Sequence, residues 1–172
     1  MTDDDVIRIP LRARDGSVRA WAIVDREDAD LAELRWCYFS RLGYAARTED
    51  GTSRYLHRAV LERITGCALP PDRNCDHANG NGLDNRRSNL RLATHSQNCS
   101  NRKSADGASS AFLGVGWYPR LSKWQALITT NKRHIYIGVF TDEEDAARAY
   151  DRAAREHHGE YARLNFPDEG DA

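Results

Sequence analysis

No stretch of the 172-residue chain approaches the roughly 20 consecutive apolar residues that crossing a bilayer requires. The start, Met1 to Asp5, is acidic, where a secretory leader is basic and then apolar. Neither a membrane protein nor a secreted one is expected, and the cytoplasm is the expected location. Cysteine is scarce and scattered: Cys37, Cys67, Cys75 and Cys99 form no C-x-x-C pair, which argues against a disulfide framework and against a zinc knuckle. Buried, reduced thiols are the expectation. An excess of either charge is also missing, with 25 Lys and Arg against 26 Asp and Glu. What is present is 40% apolar, 30% charged and 9% aromatic residues, the balance of a globular protein with one ordinary domain or two to three small ones.

The near-zero total conceals a segregation. Residues 57–103 carry eight cationic side chains against four acidic ones, whereas residues 1–56 carry nine against eleven and 104–172 eight against eleven. Only the middle third is basic. That suits a phosphate-rich ligand, because neutralising phosphates and releasing their counterions supplies most non-specific affinity for nucleic acid.

Along the chain, Val6 to Leu11 alternates apolar and polar, Asp15-Gly16 is a turn signal, and Val18 to Val24 alternates again around Trp21. A hairpin is predicted. Asp25 is placed to cap a short helix over residues 26–34. The aromatic cluster Trp36, Tyr38, Phe39 and Tyr44, with turns at Gly43 and Asp50-Gly51, predicts two more strands. Leu56, Val60, Leu61 and Ile64 have helical spacing that Gly66 ends. A turn-rich stretch, Pro70-Pro71-Asp72, then leads to Cys75-Asp76-His77, an Asn- and Gly-rich loop from Asn79 to Asn85, and a helical run from about Ser88 through Asn98. Residues 104–109 read as a linker. Three strands are predicted over 113–118, 123–129 and 134–140. Thr141-Asp142-Glu143-Glu144 is a capping box that opens a helix through Ala146, Ala149, Tyr150 and Ala153 to a stop at Gly159.

Hydrolysing a phosphodiester needs a hard cation on the phosphate oxygen, a base for water and a group that holds the base. Magnesium prefers carboxylate and amide oxygens, and an imidazole near pKa 6.5 takes a proton at neutral pH. Asp76 and Asn98 could ligate; His77 could be the base. One Asn or Asp in a Gly-rich loop would ordinarily serve a turn, but here several stand in a longer pattern. L-H-R-A-V at 56–60 and C-D-H-A-N-G-N-G-L-D-N-R-R-S-N-L-R-L-A-T-H-S-Q-N at 75–98 resemble the HNH nucleases of phages and homing introns, in their His-Asn-Asn variant.

The resemblance implies two β-strands and a helix around one divalent metal, Mg or Mn, and a protein encoded by a phage or acting in a bacterial host cell. It makes Asp76 and Asn98 metal ligands, His77 the general base, and Asn89 the asparagine that pins the loop and orients the base. Where other branches of the family have a histidine at the third motif position, this chain has Asn98; His95, a turn earlier, shares a helical face with it and is an alternative approach to the metal. His57 reads as a packing or hydrogen-bonding residue. Arg86, Arg87, Arg91, Arg102 and Lys103 are expected to hold phosphates, or else to form a solvated face.

In the last segment, alternation assigns Val115, Trp117, Trp124, Ala126, Ile128, Ile135 and Ile137 to a face that meets the alanine-rich side of the helix. The opposite face presents Gly116, Tyr118, Gln125, Leu127, Thr129, His134 and Tyr136, with Arg120, Lys123, Lys132 and Arg133 at the turns. L-G-V, K-W-Q-A-L-I, Y-I-G-V-F-T-D-E-E-D-A-A-R-A-Y-D-R-A-A and the closing L-N-F-P resemble the plant ethylene-response-factor (apetala-type) DNA-binding domain. That resemblance implies a three-stranded sheet inserted into the major groove. Family positions that hold groove-reading arginine or tryptophan are Gly116, Tyr118, Arg120 and Thr129 here, so no sequence preference carries over.

The expected fold is α+β: an N-terminal β-rich scaffold (1–56), a ββα-metal nuclease core (57–103), and a C-terminal three-stranded antiparallel sheet packed on one helix (110–167). The expected function is metal-dependent, homing-type endonuclease cleavage of double-stranded DNA, by nicking or site-directed cutting, with no protein partner implied. The competing reading is a non-enzymatic DNA-binding regulator with a decayed nuclease core.

Overall fold

The computed structural model describes residues 5–100, 109–130 and 133–169. Arg102, Lys103, Lys132 and residues 104–108 of the expected linker therefore lie outside the described residues. The fold is mixed α+β with several small sheets and few helices, and no described helix is long and apolar enough to cross a membrane. Two compact units are present, residues 1–93 and 94–172.

In the first unit, β1 (Val6–Arg12) pairs antiparallel with β2 (Val18–Asp25). The Asp15 carboxylate closes their turn by accepting from Ser17 N at 2.9 Å and Ser17 Oγ at 2.6 Å. Ile9 and Leu11 on β1 and Ala22 and Val24 on β2 are fully buried, since residues two apart share a face. Trp36 and Leu31 pack there, the Trp36 indole Nε1 donating to Leu31 O at 2.8 Å. The 26–34 segment is a 3₁₀ helix, Arg26–Glu33, and Asp25 makes no side-chain cap bond to it. Its carboxylate instead accepts from Arg87 N at 2.7 Å, a long-range demand that local capping logic does not register.

β3 (Cys37–Phe39), β4 (Tyr44–Glu49) and β5 (Thr52–Tyr55) make an antiparallel sheet in that order. It leads directly into α1 (Leu56–Thr65), which ends at Gly66 in the left-handed region, φ +69°. Leu56, Val60 and Leu61 of α1 share one core with Ile9, Leu11, Trp36, Leu69 and Leu90. At about 1.5–3 kcal/mol for each large apolar side chain buried, this core fastens α1 to the preceding sheets.

β6 (Arg73–His77) pairs with β7 (Leu90–Thr94). The helical run expected from Ser88 is thus corrected: Arg87–Asn89 is one 3₁₀ turn, Leu90–Thr94 is a strand, and only His95–Ser100, α2, is helical. A short apolar run with Leu90, Leu92 and Ala93 is ambiguous in period, and pairing with β6 decides it. The thiol expectation also needs correction, because Cys37 and Cys67 are exposed and Cys75 is half-buried.

The second unit holds α2 and a three-stranded antiparallel sheet of β8 (Val115–Tyr118), β9 (Lys123–Thr130) and β10 (Arg133–Phe140), with β9 central. α3 (Glu143–His158) lies across it, burying Ala146, Ala147, Ala149, Tyr150 and Ala154. The closeness shows at Gly114, where an added Cβ would come within 2.0 Å of the Tyr150 ring. The cap of α3 is Asp142 rather than Thr141; its carboxylate accepts from Glu144 N and Asp145 N at 2.8 and 3.3 Å. Buried Asp151 accepts from Asn165 N and Phe166 N, both at 2.8 Å, which explains why an L-N-F run closes this segment.

Candidate nuclease site

Asp76 and His77 end β6, and both are buried. The Asp76 carboxylate accepts from Arg91 Nε at 2.7 Å, across the β6–β7 pair. The His77 ring lies on Tyr44, with centroids 5.7 Å apart and planes at 16°, and meets the His57 ring edge-on at 5.1 Å. Its Nε2 faces Asn85 Oδ1 at 3.4 Å. Asn85 is fully buried and is held by its own N donating to Ile23 O at 2.8 Å and its Nδ2 donating to Leu83 O at 3.0 Å.

The loop between β6 and β7 is a hydrogen-bonded frame. Asn89 Nδ2 donates to Asp84 O at 2.7 Å, and Asn89 Oδ1 accepts from Asn79 N at 2.9 Å. Asn79 Nδ2 in turn donates to Asp84 Oδ2 at 2.8 Å, and Gly80 N donates to His77 O at 2.8 Å. One side chain thus closes both ends of the 79–84 loop, and the loop fixes Asn85 against His77. Asp84, Asn85 and Asn89 are buried whereas Asn79 is exposed, so it is on the Asn89–Asp84 side that a broken bond leaves a polar group unpaired, at a cost of about 1–3 kcal/mol.

Burial holds the His77 pKa below its ordinary value, against the hydrogen bond to Asn85 and the negative charges of Asp76 and Asp84. The imidazole is therefore neutral at pH 7 and able to take a proton. His57 is pushed further, to about 3, by burial first and then by the neighbouring His77 and Arg58. Its Nδ1 is buried with no hydrogen-bond partner among the described residues. Burial, reinforced by Asp76, raises the Cys75 thiol to about 12, and that thiol donates to His57 O at 3.6 Å.

Three of the arginines expected on phosphate have partners inside the protein. Arg86 donates to Asp84 from Nε and Nη2 at 2.8 and 2.7 Å, Arg87 pairs with Asp28 and Glu27, and Arg91 pairs with Asp76. His95 is exposed at the start of α2, and Asn98 is half-buried in the same six-residue helix. Among the described residues no group of three or more His, Cys, Asp or Glu side chains could hold a metal. Of the ligands expected from the sequence, Asp76 offers a carboxylate oxygen and Asn98 an amide oxygen, donors of the kind a hard cation takes. A protonated Cys75 offers no competing thiolate.

In the second unit, the strand register puts Tyr118 opposite Lys123, Leu127 opposite Tyr136, and Thr129 opposite His134. Thr129 Oγ1 and His134 Nδ1 are 2.9 Å apart. A bulge at Ile137 keeps that residue in the core while restoring the alternation beyond it. Gln125 shares the outer face, Tyr136 is 60% exposed, and Arg120, Lys123 and Arg133 are exposed with no ion pair among the described residues.

A sequence model of the HNH endonuclease family matches residues 54–99, the span that contains this frame. A protein of Acanthamoeba polyphaga mimivirus named as an uncharacterized HNH endonuclease is 31% identical over 162 residues, covering 94% of this chain and 82% of its own length. The chain belongs to the HNH endonuclease family. Protein 3.8 of Escherichia phage T7 is 31% identical over 108 residues, or 63% of this HNH chain and 88% of the phage protein. APETALA2-like protein 2 of Oryza sativa subsp. indica is 38% identical over 65 residues, 38% of this chain but only 15% of the plant protein.

Sequence reasoning missed Asn85, Tyr44 and His57 as residues touching the candidate base. Asn85 was visible only as one asparagine in an Asn-rich loop. Tyr44 carries no local signal, since it reaches His77 through the tertiary fold.

Proposed function

We propose that this HNH protein hydrolyses DNA phosphodiester bonds with one divalent metal, Mg or Mn. The observation that carries the reading is His77, a neutral, buried imidazole stacked on Tyr44 and bonded to Asn85 in a loop that Asn89 closes, directly beside Asp76. Asn85 directs its Nδ2 to Leu83 O and so turns its carbonyl oxygen to the ring. His77 Nε2 faces that oxygen, and the ring is the base that takes the proton of the attacking water. The water oxygen bonds to phosphorus and the bond to the 3′ oxygen breaks. Asp76 and Asn98 would hold the metal, which supplies charge stabilisation at the phosphate and the leaving oxygen. Arg91, paired with Asp76, would turn to phosphate if a metal took its place on that carboxylate; Arg86, Arg87, Arg102 and Lys103 are further candidates for phosphate contact.

Residues 57–103 form the nuclease core in this reading, and residues 110–167 bind duplex DNA through the outer sheet face of Tyr118, Gln125, Thr129, His134 and Tyr136, with Arg120, Lys123, Lys132 and Arg133 on phosphates. The likeness to the APETALA2-like protein supports it, as do the exposed Arg120, Lys123 and Arg133, which form no ion pair among the described residues. The homing-type role, by nick or site-directed cut, rests on the phage and viral relatives. The Arg91–Asp76 ion pair favours one rival, a DNA-binding regulator that no longer takes up metal. The separating experiment incubates supercoiled plasmid with the protein in Mg, in Mn and in EDTA, with Asp76→Asn alongside. Open-circle or linear product that needs metal and Asp76 supports the nuclease; binding without cutting under every condition supports the regulator.

A further inference from the structure

The turn joining β3 to β4 is tied to the candidate base. Gly43 and Tyr44 pack on the β6–β7 loop so closely that a Cβ on Gly82 would come within 2.5 Å of both Gly43 O and the Tyr44 ring. Tyr44 itself stacks on His77. Two backbone bonds lock the turn, Leu42 N and Gly43 N both donating to Phe39 O at 3.1 and 2.9 Å. A locked turn ordinarily shows polar residues to water. This one leaves Phe39 45% and Leu42 49% exposed, with Arg41 between them.

Charge sets the turn apart as well. Residues 37–44 include no carboxylate, and Arg41 forms no ion pair among the described residues. Arg86, Arg87 and Arg91, by contrast, are all engaged by acids. A free cation flanked by two exposed apolar side chains has the composition of a minor-groove wedge. Such elements insert Phe or Leu between base steps and place Arg in the groove, kinking the duplex by roughly 20–90°.

We infer that the Phe39–Arg41–Leu42 turn is a DNA wedge that enters the minor groove of the duplex being cut and unstacks a base step beside the scissile phosphate. Leu42 lies two residues from Tyr44, about 7 Å of chain at most, which corresponds to about two base-pair rises of 3.4 Å. The wedge therefore works within a few base pairs of His77 and bends the strand toward it. The choice of DNA as occupant rests on the nuclease reading, but the test below needs no cleavage.

Closed circular plasmid is relaxed by a metal-independent topoisomerase in EDTA with His77→Ala protein bound, and the topoisomer distribution is read on a gel. An unstacking wedge lowers the linking number in proportion to bound protein. The same protein carrying Phe39→Ser and Leu42→Ser loses most of that shift, whereas Ile64→Ser, at an exposed apolar residue near the end of α1, keeps it. Arg41→Gln reduces by about one the slope of log affinity against log salt for a random-sequence 30-base-pair duplex. Thermal melts confirm that each variant is folded. An equal shift with and without the two serines overturns the wedge, as does no shift in either. So does a concentration-dependent dimer that the serines abolish while the shift persists, which would assign the turn to a second copy of the chain. Loss of the shift in the serine variant beside a wild-type protein that never cuts would sink the nuclease and keep the wedge.

Discussion

His57 makes the fold acid-sensitive in a way that can be calculated. Its ring is buried against Tyr44, Tyr55 and His77, with centroids 4.7, 5.4 and 5.1 Å away, and its pKa in the fold is about 3 rather than 6.5. The unfolded chain takes up this proton near pH 6.5, while the folded chain refuses it until about pH 3. Stability is therefore unaffected by this group above pH 6.5 and falls by about 1.4 kcal/mol for each pH unit between those limits. At pH 5 the loss is about 2 kcal/mol. His57→Phe keeps an aromatic ring of similar size, removes the titration, and also removes the orphaned Nδ1. Urea unfolding of both proteins at pH 7.5 and at pH 5 gives the comparison. The expected result is a stability difference that moves by about 2 kcal/mol in favour of the variant on acidification. A difference that does not change with pH would refute the reasoning, because it would mean that His57 is hydrated or protonated in the fold.

Gly82→Ala forces the β3–β4 turn off the β6–β7 loop, since the new Cβ meets backbone and ring at 2.5 Å. A destabilisation of about 1–3 kcal/mol is expected, together with slower cleavage; unchanged stability and rate would show that the contact is slack. Asn89→Ala breaks both bonds that close the 79–84 loop. It should lower the cleavage rate more than it lowers DNA affinity, and it should also cost about 1–3 kcal/mol of stability, read by urea titration. Lys123→Gln with Arg133→Gln removes two exposed cations from the outer face of the second unit. The salt slope of duplex binding should fall by about two, and an unchanged slope would remove that face from the DNA interface.

Much of the architecture was legible because period and punctuation agreed. The β1–β2 alternation around Asp15-Gly16, the α1 spacing ended by Gly66, and the three strands β8–β10 correspond to the structure, although Trp117 and Ile135, expected against α3, are 40% and 36% exposed. The illegible parts were decided at long range. Residues 90–94 have an apolar pattern compatible with either period, and only the partner strand β6 makes them extended. Asp25 looks like a helix cap in sequence, yet it bonds Arg87 sixty-two residues away. Within the site, the order Asp76, His77, Asn89 was readable as a motif, and the structure places the first two together and gives Asn89 both ends of a loop. The burial of His77 under Tyr44 and the engagement of the motif's arginines by Asp28, Asp76 and Asp84 depend on tertiary packing that no local window contains.

The most direct test of the central claim is single-turnover cleavage of a bound duplex by wild type and His77→Ala at saturating protein, with affinity measured in parallel. The account predicts a rate loss of about 10²-fold or more with affinity within a few-fold, because a general base acts in the transition state and contributes little to ground-state binding. A variant that cleaves at the wild-type rate, or that loses binding in step with cleavage, would contradict it.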